Sequence, residues 1–420
     1  MAGYLNRLSE KKIREAMDAI GAVVIEGPKW CGKSTTGARF AKTIVKLQDP
    51  ITFKNYKAYA NTSRSVLLRG EKPLMFDEWQ KIPDLWDFIR LDVDETSEAG
   101  QYILTGSAKP IEDKNRHSGT GRFAKVVMRP MSLWESEESS GEVSLGKLFD
   151  GEHQIYGKSK TTFEKYAYLV CRGGWPESLF KTDKQALMLA REYYNSLVTT
   201  DIVDVDGIKR NPARAKAVLR SYARNISSLA TYKTIHDDLL RNEDTFDDMT
   251  LTSYINAFEK LFVVENVTAW LPRLRSKTAM RVSDKKQFVD PSIAAIALDA
   301  NPNDLISDLN TFGLLFESLC VRDLRVYSQS LNGEVHHFRD LKGFEVDAIV
   351  HLDSGKWGAI EIKLGGNQID EAAANLLKLK EKVDTERMSE PSFLMVLTGT
   401  PNAYLRPDGV LVVPIGCLKN

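Results

Sequence analysis

The chain is 420 residues long, beyond the roughly 250 to 300 at which one hydrophobic core stops growing, so two or three domains are expected. Its 57 lysines and arginines balance 57 aspartates and glutamates, which excludes a global field for nucleic acid or an anionic membrane and leaves only local charged surfaces. The four cysteines lie far apart with no zinc spacing, the opening helix is interrupted by Arg7, Glu10, Lys11 and Lys12, and no apolar run approaches about 18 residues, so a soluble, cytoplasmic protein without a membrane span is expected.

The first informative element is the apolar, β-branched run Ala22 to Ile25, a buried strand. It leads into Gly27, Pro28, Lys29, Trp30, Cys31, Gly32, Lys33, Ser34 and Thr35, which fill the GxxxxGK[ST] pattern of a phosphate-binding loop. The glycines let the backbone curl so that its N–H groups face phosphate oxygens at the start of a helix predicted to run to about Leu47. ATP is the expected ligand, with Lys33 on its β- and γ-phosphates and the Ser34 hydroxyl on Mg²⁺.

A second strand, Pro73 to Phe76, ends in Asp77 and Glu78, the acidic strand end that an ATPase of this kind needs. Asp77 is the expected partner of the metal, and Glu78 the base that polarises the attacking water. A third strand, Tyr102 to Leu104, ends in Thr105, where ligands of open α/β sheets collect; a γ-phosphate sensor and an ordinary strand-ending threonine are both consistent with it. Arg122, in the polar loop before the strand Ala124 to Met128, has the chemistry of an arginine finger, in cis or from a neighbouring subunit. A solvated loop arginine is the competing reading, and a trans role would require a homo-oligomer.

The succession GPKWCGKST, FDEWQKIP, LTGS and TGRFAKVVMRP resembles the bacterial and archaeal AAA-type P-loop ATPases that carry a C-terminal domain of unknown function numbered 4143. Lys29 stands where many members have arginine, and Trp30 is bulkier than usual there. The resemblance covers essentially the whole chain. The expected fold is α/β: an ATPase core over 1–135, a helical linker or lid over 136–210, a winged-helix-like module over 211–290, and a nuclease-like α/β domain over 305–420.

The boundary after the ATPase core is read from the polar, charged stretch between Glu135 and Thr162. The turn Arg172 to Glu177, RGGWPE, matches a GG-x-P element of the family. Helical patterns follow over 185–203 and 214–229. Two shorter helices, 231–240 and 251–261, joined by a polar turn at 242–248 and followed by the strand-like run 262–270, resemble a winged helix-turn-helix. Its second helix carries no arginine cluster, whereas the strand and loop over 272–286 supply Arg273, Arg275, Lys277, Arg281, Lys285 and Lys286, so DNA contact is expected there; a helical protein-binding module is the alternative.

From about Thr311 a second constellation begins. Glu317 lies on a helix, and the strands Glu345 to His351 and Trp357 to Lys363 pair as a hairpin that brings Asp347 beside Glu361 and Lys363. Two carboxylates and a lysine suit a hard cation, a second Mg²⁺ or Mn²⁺ held by Glu317, Asp347 and Glu361, with Lys363 as a catalytic lysine. The order resembles the PD-(D/E)XK nucleases, with 335–339, 370–383 and 393–397 as the remaining elements. Nuclease-like domains serve either to cut or to dock. The expectation is therefore an ATPase coupled to a DNA-associated, nuclease-like domain, or an ATP-driven switch that binds a protein or nucleic-acid partner without cutting; a small-molecule P-loop kinase is a weaker third reading.

Overall fold

The computed structural model describes residues 3–107, 118–241, 246–271, 282–383 and 388–420. Among the described residues the strands form a five-stranded sheet, a seven-stranded sheet and a two-stranded pair, joined by helices. The first sheet is wholly parallel, with β1 (Ala22–Glu26), β2 (Thr43–Lys46), β3 (Leu74–Asp77), β4 (Tyr102–Gly106) and β5 (Phe123–Val127) arranged in the order β2-β3-β4-β1-β5. Ala22 and Val24 pack on one face with Phe76 and Leu104, while Val23 and Ile25 pack on the other with Met75 and Ile103. Burial on both faces is why these strands read as continuous apolar runs rather than as alternation.

Helices α1 (Ser9–Ala19), α2 (Lys33–Ala38) and α3 (Leu85–Thr96) lie against this sheet, and a further helix, Pro50–Ala60, packs Phe53, Tyr56 and Ala60 on its core. The predicted long helix after the loop is corrected here, because α2 stops at Ala38 and Thr43–Lys46 is strand β2, paired in parallel with β3. The β-branched pair Ile44 and Val45 in that run favours the sheet.

The middle of the chain is helical, as expected: α4 (Phe163–Arg172), α5 (Asp183–Ser196), α6 (Pro212–Arg224), α7 (Tyr232–Leu240) and α8 (Asp248–Lys260). Side-chain caps set several of their starts. Thr162, Asn211, Thr231 and Asp247 each accept an N–H of the first turn. A π-helical turn, Leu197–Asp201, follows α5. After α8 the chain pairs Val264 with Phe288 and Val267 with Lys285, antiparallel. Arg273, Arg275, Lys277 and Arg281, and the turn at 242–245, lie outside the described residues.

The long helix α9 (Leu309–Ser330) is buried along most of its length and carries the second sheet. That sheet has seven strands: β7 (Gly157–Lys158), β8 (Gly333–Arg339), β9 (Glu345–Leu352), β10 (Trp357–Lys363), β11 (Phe393–Thr398), β12 (Asn402–Leu405) and β13 (Leu411–Pro414), in the order β7-β12-β13-β11-β10-β9-β8. Helix α10 (Ile369–Lys382) covers one face through Ala372, Ala373, Leu376 and Leu379.

The polar stretch read as the boundary after the ATPase core carries short strands that pair with the end of the chain. Its short strand β6 (Val143–Ser144) pairs in parallel with the terminal β14 (Leu418–Lys419), and β7 adds to the edge of the C-terminal sheet through β12.

Candidate functional site

Sheet order builds the first site. Because β4 lies between β1 and β3, Thr105 stands in register with Ile25 on one side and Asp77 on the other. All three strands end at the same edge, so the loop after β1, the acidic pair after β3 and the threonine after β4 converge.

The loop leaves β1 at Gly27, whose φ is 150°; a Cβ there would sit 2.0 Å from the Met128 carbonyl oxygen, so no other residue fits. Trp30 and Gly32 also take positive φ, 66° and 99°. The Lys33 ammonium is buried within the curl and donates to the carbonyls of Gly27 at 2.9 Å and Pro28 at 2.7 Å. The Cys31 thiol donates to Met128 O at 3.2 Å, and Arg7 donates to Cys31 O at 2.6 Å while its Nε meets buried Glu135 at 3.1 Å. Thr35 is exposed.

Asp77 gathers three donors. The Ser34 hydroxyl reaches its Oδ1 at 2.6 Å, the Thr105 hydroxyl the same oxygen at 2.5 Å, and the Gln48 amide its Oδ2 at 2.8 Å. Glu78 follows with a left-handed backbone, φ 56° and ψ 49°, uncommon for a side chain of its size. Its carboxylate accepts from Gln80 and, at 3.1 Å, from Ser107. The sequence reading missed Gln48, Gln80 and Ser107, although the polar end of the IVKLQ run after a β-branched pair is the signal that could have placed Gln48.

The loop's outer side faces the helical middle. Lys29 pairs with buried Asp201 at 2.7 Å, and the half-exposed Trp30 ring lies 5.9 Å from Tyr193. Arg122, by contrast, precedes Phe123, which pairs with Ala22 at the far end of β1. Four residues at about 3.3 Å each put it on the order of 13 Å along the strand from the loop. It is bonded to Asp94 at 2.6 Å. The cis arginine finger is corrected on that ground, since parallel strands place their starts and ends at opposite edges.

The C-terminal residues also converge. Pairing of Ile360 with Ala348 sets Glu361 and Lys363 against Asp347 across β9 and β10. Lys363 Nζ lies 3.1 Å from Asp347 Oδ2 and 2.8 Å from Glu361 Oε2. The Ile362 N–H donates to Asp347 Oδ2 at 2.9 Å, and Asn375 donates to Glu361 Oε1 at 2.5 Å. Glu317, from α9, is bonded at 2.7 Å to Lys285, whose Nζ also stands 3.4 Å from Asp347 Oδ1.

Burial pushes the Glu317 carboxyl up to about 7 despite Lys285. Burial and the neighbouring Asp347 raise Glu361. Asp347 is raised by burial too, but Lys285, Lys363 and the Ile362 N–H hold it well below the carboxylate range. Beside the cluster an open groove of about 480 Å³ is walled by Glu345, Glu361, Lys363, Glu371 and Lys378.

Two expectations change here. Among the described residues no three His, Cys, Asp or Glu side chains form a set able to hold a metal; the charges of Glu317, Asp347 and Glu361 are met by ammonium groups instead. Lys285 and Lys286, read as part of a DNA-facing patch, are both buried, Lys286 lying 4.7 Å from the centre of the Tyr232 ring.

Family profiles match in succession along the chain. The AAA domain matches residues 20–137, a domain of unknown function (DUF8612) residues 163–304, and a domain of unknown function (DUF4143) residues 312–418. An AAA domain at the start and a DUF4143 domain at the end are the pairing that the sequence resembles.

Two uncharacterized proteins, from Mycobacterium bovis and Mycobacterium tuberculosis, are each 23% identical to this chain over 368 residues, 84% of it and 72% of the relative. Among solved structures, the Walker-type ATPase PABY2304 of Pyrococcus abyssi is 14% identical with a TM-score of 0.40, over 69% of this chain and 94% of that one. A DNA polymerase III gamma subunit-related protein of Thermotoga maritima is 11% identical with a TM-score of 0.23, over 61% and 100%. No helix of the described residues is long and apolar enough to cross a membrane.

Proposed function

We propose that this protein hydrolyses ATP in a Mg²⁺-dependent manner and uses the cycle to switch the helical middle that rests on its P-loop. The observation that carries the reading is the meeting of Ser34 and Thr105 on one oxygen of Asp77, beside the buried Lys33. A hydroxyl and a carboxylate side by side are hard oxygen donors that suit magnesium. Held there, magnesium would neutralise charge on the β- and γ-phosphate oxygens.

The chain's own residues supply the rest. The loop from Gly27 to Thr35 wraps the phosphates with its N–H groups, and Lys33 exchanges its two loop carbonyls for phosphate oxygens. Glu78, oriented by Gln80 and Ser107, takes the proton of the attacking water. Thr105 couples the γ-phosphate position to Asp77. Any rearrangement of the loop then loads the Lys29–Asp201 pair and the Trp30–Tyr193 contact, which is the path to the helical middle. The π-helical turn ending at Asp201 is a local irregularity of the kind found at functional sites.

Arg122 serves a nucleotide only if a second copy presents it, so a trans role implies a homo-oligomer. The partner of the switch is DNA or a protein, met by the winged-helix-like segment of the middle domain. Four buried, unpaired cysteines suit a reducing cytoplasm. A nuclease that uses Lys363 and a second Mg²⁺ or Mn²⁺ has the convergence of Asp347, Glu361 and Lys363 in its favour and the pairing of Lys285 against it.

The test is phosphate release with and without Mg²⁺, in the presence of DNA, RNA or neither. Magnesium-dependent turnover abolished by Lys33→Ala is the expected result; nucleotide binding without any turnover under all these conditions would overturn the hydrolase reading.

A further inference from the structure

Lys285 reaches the carboxylate cluster from outside the C-terminal sheet. It sits on the short pairing with Val267 that follows α8, and its side chain is only 5% exposed. Its Nζ donates to Glu317 Oε1 at 2.7 Å, and to the Asp347 carboxylate and carbonyl at 3.4 and 3.5 Å. The nitrogen therefore stands between the helix carboxylate and the strand carboxylate, on the ground that a divalent ion bridging them would occupy. Lys363 holds the other flank between Asp347 and Glu361, and Asn375 takes the remaining Glu361 oxygen.

Mg²⁺ ligands lie at about 2.0 to 2.1 Å. An ammonium already hydrogen-bonded to the same oxygens leaves no room for such an ion, and its charge repels one at close range. A buried ammonium among carboxylates is itself held firmly, because withdrawing it leaves uncompensated buried charges.

We infer that Lys285 is the resident cation of this constellation: it takes the place of the divalent metal that the nuclease-like residues imply, and it locks the segment after α8 onto the C-terminal domain. The site then binds no metal and cleaves no phosphodiester, and its role is mechanical. Motion of the middle domain reaches the carboxylate cluster through this side chain, beside the backbone bridge of Ala269 with His337 that ties the same segment to β8. The inference stands apart from ATP turnover, since none of these residues belongs to the nucleotide site.

Binding of Mn²⁺ to the full, nucleotide-free chain, read by electron paramagnetic resonance, tests it. The unmodified protein is expected to show no Mn²⁺ binding that depends on Asp347, meaning that Asp347→Asn leaves the titration unchanged. Lys285→Met, which keeps the length of the side chain and removes its charge, and Lys285→Ala are expected to gain one Mn²⁺ per chain, and adding Asp347→Asn to either removes the gain. A stoichiometric Mn²⁺ site in the unmodified protein that disappears in Asp347→Asn would overturn the inference. So would folded Lys285 variants that gain no site. If neither variant folds while the unmodified protein takes up no Asp347-dependent metal, the lock is upheld, because exposing the carboxylate cluster is then what unfolds it.

Discussion

At the residue scale the nucleotide site depends on one carboxylate serving several donors. Asp77 Oδ1 accepts from Ser34 and Thr105 at once, so a change at either hydroxyl is felt by the other. Thr105→Val removes one donor at nearly constant volume. It is expected to lower kcat about tenfold, the equivalent of about 1.4 kcal/mol of barrier, with KM for ATP little changed, as steady-state phosphate release would show. A parallel rise in KM would instead mark Thr105 as a binding residue. Glu78 is the sharper case. Glu78→Gln keeps the shape and the contacts with Gln80 and Ser107 but cannot accept a proton. Turnover is expected to fall by about 10² to 10⁴, while equilibrium binding of a fluorescent ATP analogue persists.

At the scale of elements the phosphate-binding loop is shaped from outside as much as by its own glycines. Gly27 lets the loop pass under Met128 O, where a Cβ would approach to 2.0 Å at φ +150°. Gly27→Ala therefore forces β1 and β5 apart at the loop end. A loss of more than about 1 kcal/mol is expected from the incompatible backbone alone, seen as a lower urea midpoint. Lys29 has a different task. Its ammonium is turned away from the loop toward Asp201, so Lys29→Ala is expected to leave ATP binding intact. Hydrogen exchange should show the consequence: nucleotide-dependent protection of the turn Leu197–Asp201 in the unmodified protein and none in the variant.

Across the whole molecule, buried charge joins parts that are distant in sequence. Arg322 on α9 bonds Asp290 at 3.0 Å and Asp323 at 2.7 Å, all three side chains essentially without exposure. Asp290 in turn accepts the N–H of Gly174 in the RGGWPE turn, and Asp323 that of Leu133 after the first sheet. Removing the guanidinium strands two buried carboxylates. Arg322→Ala is expected to cost about 3 to 5 kcal/mol, measured by urea unfolding, and Arg322→Lys to recover little because a point charge cannot fork between two acids.

The carboxylate cluster gives the C-terminal domain a pH signature. Burial raises Glu317 from 4.5 to about 7 and raises Glu361 in the same direction. An acid with a raised folded pKa holds more protons folded than unfolded, so its contribution is lost as pH rises through that window. Asp347, held low, acts oppositely and loses its contribution only in acid. The thermal midpoint of the protein is therefore expected to fall between pH 4.5 and about 7, by calorimetry, with a shallower slope in Glu361→Gln.

Much was legible in the chain alone because local patterns carried it. The apolar run before GPKWCGKST, the strands ending in Asp77–Glu78 and Thr105, and the hairpin carrying Asp347, Glu361 and Lys363 are each set by neighbours a few residues apart: periodicity, turn glycines and β-branched side chains decide them. The sequence by itself thus determined an N-terminal α/β domain with a phosphate-binding loop, a helical middle and a C-terminal sheet domain.

What only the tertiary structure decided depends on residues distant along the chain. Composition showed only a polar stretch at 135–162; pairing with strands near the end of the chain placed β7 at the edge of the C-terminal sheet and β6 beside β14. Arg122 sits next to a strand of the ATPase sheet in sequence, yet parallel register sends it to the edge away from the loop. Lys285 read as one more base in a basic stretch, and nothing local tells a solvated lysine from one buried between Glu317 and Asp347. Burial and ion pairing are properties of the assembled fold, so the charge of that cluster, and what it can bind, was decided only when distant segments met.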